Sequence, residues 1–302
     1  MAATKSSETS PVTPYQLLRK LEWRVRHTAD ALFTGEYRSA FRGRGREFDQ
    51  VVKHEYGDDV RDIDWNVTAR RGELYRKKFI EERELTTVLL FDDSLSLQFG
   101  SGESSKRDAL LEMAGLFALL SAGNRDRMGF WHATPQGEVH QEPVRGRNRI
   151  VSTAARLLNQ PIPKLEEGGE VEIDWKLFYR AFPRHSLVIW LGDFAPGPIP
   201  PGWAALRRRY QVIGVRVDDP WERELPKGGL LNALDPVSGD LIPFDLNARA
   251  NRRRHRDWVD EREQTFKALF PAATQRLAVT TDEDPLEALV RFFHTRMHQR
   301  KQ

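Results

Sequence analysis

Residues 91–96, Phe-Asp-Asp-Ser-Leu-Ser, set two carboxylates and two hydroxyls directly behind the apolar run Thr87-Val88-Leu89-Leu90. Asp92, Ser94 and Ser96 form an Asp-x-Ser-x-Ser array at the tip of an expected strand. A further acid, Asp193, ends a second apolar stretch, Trp190-Leu191-Gly192. Oxygen donors of this kind suit a hard divalent cation. Magnesium takes about six oxygens near 2.1 Å and keeps some of its waters. Two hydroxyls, two carboxylates and water meet that demand and leave a position for a carboxylate from a partner. Serine and aspartate after a strand also cap the following turn or helix, so the array by itself leaves both readings open.

The surrounding pattern says how these tips are positioned. From about residue 85, apolar runs expected as strands (86–91, 127–132, 186–191, 211–217) alternate with amphipathic stretches expected as helices (105–122, 149–159, 174–182, 201–209). The first of these helices opens on Ser105 with Asp108 three residues later, a capping-box start. It carries Leu110, Met113, Ala114, Phe117 and Leu120 on one face and closes at Gly123. Pro135-Gln136-Gly137 predicts a hairpin bringing in an antiparallel edge strand. A long charged helix (246–269), a strand (276–280) and a final helix (285–298) complete the chain. Strand–helix alternation predicts an α/β fold, a doubly wound, mostly parallel Rossmann-like sheet with helices on both faces. Ligands of such sheets bind beyond the carboxyl ends of the strands, where Asp92 and Asp193 are expected.

Ahead of this lies a different kind of sequence. Residues 15–33 have helical apolar spacing at Leu17, Leu18, Leu21, Val25, Ala29 and Leu32. A glycine- and arginine-rich loop follows, then a densely charged stretch. Residues 1–84 therefore read as an N-terminal α+β appendage packed on a domain spanning 85–302. Within it Asp58, Asp59, Asp62 and Asp64 stand among Arg61, Arg70 and Arg71. We expect them to form an internal ion-pair network joining the appendage to the sheet, with Trp65 packed beneath.

Composition narrows the class. The chain has 302 residues, 39% hydrophobic and 30% charged, with no cysteine. That suits a core-forming protein without disulfides or thiolate metal sites. No apolar run approaches the ~20 residues of a membrane span. The first fourteen residues have no signal-peptide character and read as a disordered leader, so cytoplasmic residence is expected. A formal charge of +3 is mildly basic. The clusters Arg42–Glu47, Arg207–Tyr210 and Arg252–Arg256 lack interleaved aromatics, which argues against a nucleic-acid surface.

The Asp92, Ser94, Ser96 array, with Asp193, resembles the metal-ion-dependent adhesion site of von Willebrand factor A domains. More specifically, residues 43–100, and Tyr56-Gly57-Asp58-Asp59-Val60-Arg61-Asp62-Ile63-Asp64-Trp65 with Arg70 above all, are similar to the signature of the bacterial family called domain of unknown function 58. The resemblance covers about residues 20–200. It implies a von Willebrand factor A-like fold and a non-catalytic binding and assembly role. The partners it implies are a MoxR-type AAA+ ATPase and a client protein bearing an acidic group. It also implies Asp92, Ser94, Ser96 and Asp193 as ligands of Mg2+ or Mn2+. Adhesion sites add a threonine from a middle loop. Here Glu167–Phe178 has Gly168-Gly169 but no threonine, with Asp174 and Glu170 as the available replacements.

Enzymatic readings find less support. Phosphoryl transfer of the haloacid-dehalogenase type needs an acid two residues after the nucleophile, where Ser94 stands. Gly100–Ser104 lacks the spacing of a phosphate loop, and His294 and His298 lack the glutamate of a zinc-protease helix. A magnesium-dependent phosphoester hydrolase using Asp92 or Asp193 remains the alternative, with weak nucleic-acid binding behind it.

Overall fold

A computed structural model describes residues 13–28, 47–80, 85–234 and 240–299. The expected leader and the Arg42–Arg46 cluster lie outside these. A six-stranded sheet forms the centre, in the order β10-β7-β6-β3-β4-β5. The strands are β3 (Thr86–Asp92), β4 (Arg127–Thr134), β5 (Gly137–Arg145), β6 (Leu187–Gly192), β7 (Gln211–Asp218) and β10 (Arg276–Thr280). β10, β7, β6, β3 and β4 pair in parallel, and β5 returns antiparallel through the Pro135–Gly137 turn. The expected α/β class, mostly parallel sheet and edge hairpin are all present.

The sequence alternation divides two apolar layers across this sheet. Leu89 and Phe91 of β3 face helices α1 (Pro14–Thr28), α3 (Lys106–Gly123), α4 (Arg147–Leu158) and α9 (Pro285–Gln299). Val88 and Leu90 face the other way, against α5 (Trp175–Ala181), α6 (Trp203–Arg209) and α8 (Arg249–Leu269). Period-two strands buried on both faces produce this division. The second layer is mostly aromatic: Trp131 meets Phe178 edge-on at 5.4 Å, and Trp190 meets Trp203 at 5.8 Å. Gly214 of β7 leaves room for the Phe270 ring, which a methyl group there would overlap. Helix α3 has the expected capping box of Ser105 and Asp108, but its C-cap is Asn124, not Gly123.

Helix α1 belongs to the first layer: Leu18, Leu21 and Val25 are buried among α3 and α4 residues. Arg24 pairs with Asp284 and Arg147 with Glu22. Strands β1 (Glu47–Lys53) and β2 (Tyr75–Ile80) form a separate antiparallel pair that brackets α2 (Trp65–Arg71). Arg61 pairs with Asp59 at 3.9 Å, within the expected set, but other ion pairs of the charged stretch differ from expectation. Asp58 pairs with Arg76 at 2.6 Å, Asp64 with Lys77 at 3.9 Å and Lys53 with Glu73 at 2.9 Å, all within this unit. Asp64 also caps α2 through Asn66 and Val67. Trp65 is 68% exposed rather than packed beneath the charges. A two-stranded β-unit has too little apolar area of its own to cover an indole.

A second hairpin, β8 (Leu230–Leu234) with β9 (Leu241–Asp245), connects the short helix α7 (Pro220–Arg223) to α8. His294 and His298 are exposed at the end of α9, as a solvent-facing helix end requires. No helix of the described residues is long and apolar enough to cross a membrane.

Candidate functional site

The connection after β3 leads to β4 on one side, and β6 and β7 continue on the other. The chain reverses direction across the sheet between β3 and β6, and loops there diverge to opposite faces. A crevice at such a point is where α/β sheets bind ligands. Asp92 ends β3, and Asp193 follows the last residue of β6.

The loop after β3 becomes a 3-10 turn (Leu95–Gln98) whose Leu95 and Leu97 are buried. These anchors turn Ser94 and Ser96 toward β6. Ser94 Oγ lies 3.0 Å from Ser96 Oγ, and Ser96 Oγ donates to Asp193 Oδ2 at 2.6 Å. Three of the four expected site residues therefore form a hydrogen-bonded chain. The fourth, Asp92, lies at the end of β3 against the tip of β6: a Cβ at Gly192 would stand 3.1 Å from Asp92 Cβ. The absence of a side chain at Gly192 admits the aspartate.

The two aspartates have opposite electrostatics. Burial pushes the Asp92 carboxyl up to about 7, helped by the charges of Asp193 and Asp93 and opposed by a hydrogen bond from Trp190 Nε1 at 3.4 Å. Burial also acts upward on Asp193, but Lys106, Arg262 and Ser96 overcome it and hold this carboxyl at about 2. Lys106 Nζ donates to Asp193 Oδ1 at 3.0 Å and to Glu222 Oε1 at 2.5 Å. Arg262 Nη2 donates to the same Oδ1, and to the carbonyls of Asp193 and Val217 at 2.8 Å each. Arg262 Nη1 reaches Asp218 at 3.1 Å and Glu222 at 3.2 Å. Phe194, next to Asp193, has φ of 50°. A bulky residue rarely adopts this left-handed conformation. Packing on Phe266 at 5.1 Å and Phe270 at 5.5 Å holds it there.

Asp93 points to the opposite face and does something else. It is fully buried, with both carboxylate oxygens on Arg107 Nε at 3.0 and 2.9 Å and one on His132 Nε2 at 2.8 Å. Arg107 continues to the carbonyl of Gln160 at 3.1 Å. This cluster ties β3, β4 and the end of α4 together.

The donor set does not fit a divalent cation held by all four expected ligands. Asp193 has donors on both oxygens, two of them buried protein cations. In the middle loop Asp174 is the N-cap of α5, accepting from Lys176 and Leu177, and Glu170 is exposed. Among the described residues, no group of three or more His, Cys, Asp or Glu side chains is arranged to hold a metal ion.

Lys106, Arg262 and Glu222 were not singled out from the sequence. Two of them left a signal. Lys106 and Arg107 stand in the first turn of α3, where the helix dipole disfavours cations, so acids facing them were to be sought. Arg262 lies between Trp258 and Phe266 at intervals of four, on the apolar stripe of α8. Members of the two described arginine clusters make local contacts. Arg209 donates to the Tyr179 carbonyl at 2.6 Å and Arg252 to the Pro226 carbonyl at 3.1 Å, while Arg207 stacks on Trp203.

A mostly parallel α/β sheet carrying a polar side-chain cluster at its switch point defines the class. The family model described as "Protein of unknown function DUF58" matches residues 50–265, and the chain belongs to that family. Its relatives include the uncharacterized proteins Mb1516 of Mycobacterium bovis and Rv1480 of Mycobacterium tuberculosis. Each is 28% identical over 283 residues, spanning 92% of this chain and 88% of the relative. A crystal structure of an uncharacterized membrane-spanning protein from Vibrio fischeri aligns with 71% of this chain and 98% of its own, at 14% identity. Its TM-score of 0.24 is too low to carry structural inference.

Proposed function

We propose that the protein is a non-catalytic binding and assembly module with a von Willebrand factor A-like domain. In this reading it works in the cytoplasm with a MoxR-type AAA+ ATPase on client proteins. The contact surface is the crevice above β3 and β6. The observation that carries this reading is the convergence of Asp92, Ser94 and Ser96 beside an Asp193 locked into ion pairs. Asp193 gains stability by keeping those pairs, which opposes its use as a nucleophile or base. Ser94 and Ser96 are half-buried, which leaves part of this loop open to another chain. The test is affinity capture with the wild type and with Asp92→Ala and Ser94→Ala. Enrichment of an AAA+ ATPase by the wild type and its loss with both folded variants is the expected result. Equal capture by all three proteins would remove the crevice from the reading.

One observation favours a second reading. A carboxyl pushed up to about 7 suits general acid–base work near neutral pH, and Asp92 has one. A phosphoester hydrolase using Asp92 would turn over generic phosphoesters, and Asp92→Asn would abolish that turnover.

A further inference from the structure

A lysine is an unexpected residue at the first position of a helix, where the dipole repels it. Lys106 is also fully buried, and a buried ammonium is tolerated only when paired and hydrogen-bonded. Its partners come from two other segments: Asp193 after β6 and Glu222 of α7. Arg262 of α8 reaches the same two acids. Lys106 and Arg262 thus set two positive charges, the charge that one divalent cation would bring, against Asp193 and Glu222, while Asp218, which Arg262 also reaches, has Arg216 and Arg223 as further partners. Lys106 and Arg262 also do the geometric work of such an ion. The Asp193 oxygen left over by these cations takes the Ser96 hydroxyl, and Ser96 in turn holds Ser94.

We propose that Lys106, seconded by Arg262, is the resident cation of this crevice: it holds the β3 loop to the tip of β6 and keeps divalent metals away from Asp193. An ion bound to Asp193 would either share Oδ1 with an ammonium and a guanidinium or take Oδ2 from Ser96 on that same carboxylate, and like charges so placed repel strongly in a poorly hydrated site. Asp193, Ser96 and Ser94 accordingly keep their arrangement without metal.

Manganese tests this directly, because bound Mn2+ broadens nearby nuclear resonances. The Trp190 indole N–H, bonded to Asp92, is the reporter, assigned by its loss in Trp190→Phe. In metal-free protein titrated with Mn2+ to 100-fold excess at neutral pH, the Trp190 signal is expected to broaden no more than that of the exposed Trp65 indole on the β1–β2 unit. Selective loss of that signal at equimolar Mn2+, reversed by excess Mg2+, would overturn the proposal. Lys106→Met supplies the second arm. A folded Lys106→Met protein is expected to bind Mn2+ at the crevice at least tenfold more tightly than the wild type, and no gain in affinity would count against exclusion by Lys106. If Lys106→Met does not fold, Lys106→Arg takes its place. A folded, manganese-indifferent Lys106→Arg supports a charge role, and one that takes up Mn2+ selectively at Trp190 refutes it.

Discussion

Ser96 Oγ and Asp193 Oδ2 meet at 2.6 Å across 97 residues of sequence, so a single hydroxyl joins the loop after β3 to the tip of β6. A hydrogen bond to a charged acceptor contributes about 1.5–3 kcal/mol. Ser96 is half-buried, which places it at the lower end of that range. Ser96→Ala is expected to lower the unfolding free energy by about 1.5 kcal/mol, read from urea midpoints. An unchanged midpoint would mean that water replaces the bond at no cost.

Removing one member of a buried ion pair strands its partners. Lys106→Ala leaves Asp193 and Glu222 short of a cation and is expected to cost about 3–5 kcal/mol. Asp193→Asn alone is expected to be strongly destabilising too. The double variant should cost less than the sum, because neither charge is then stranded. Additive costs in that cycle would contradict a direct interaction.

Asp92 makes stability depend on pH. Its folded-state value, about 7, lies above the ordinary 3.8, so the folded protein holds this proton more tightly than the unfolded chain. The contribution is therefore full below about pH 4 and is lost as pH rises to about 7. A displacement of about three pH units sets an upper bound of about 4 kcal/mol. Asp92→Asn cannot ionise there. The wild type should lose stability relative to this variant between pH 4.5 and 7.5, and parallel urea stabilities across that range would refute the assignment.

Asp93 stands one residue away with a different role. Asp93→Ala leaves Arg107 and His132 buried without their acid, with an expected loss of about 3–5 kcal/mol. The exposed hairpin unit offers the contrast. Asp58→Ala and Trp65→Ala should leave the urea midpoint within measurement error, because solvent screens the first and already surrounds the second. A large loss from either would show that the unit is more deeply integrated than its exposure indicates.

What the sequence revealed follows from how each feature is encoded. Strands buried on both faces appear as continuous apolar runs, so β3, β4, β6, β7 and β10 were found to within two residues, and the tips bearing Asp92 and Asp193 with them. The hairpin β8–β9 was missed because Leu230, Leu241 and Ile242 are exposed, so no alternation marks a buried face. Helix α2 is seven residues long, too short for a periodic pattern. Its start and stop were nonetheless visible in Asp64 and in Gly72, which takes φ of 69°. The charges of the crevice were hardest to read. An arginine that serves Asp193 and one that faces solvent look alike within the run Arg249–Leu269. Only long-range contact separates them.

Gly214 and Arg262 together constrain one helix. The Phe270 ring seats against the flat backbone of β7 at Gly214, and eight residues earlier Arg262 grips the carbonyls of Asp193 and Val217. These two attachments are about 12 Å apart along the helix axis. α8 is thereby pinned at two points of its C-terminal part: it cannot slide along the sheet without forcing the ring out of its seat or tearing the guanidinium from the crevice.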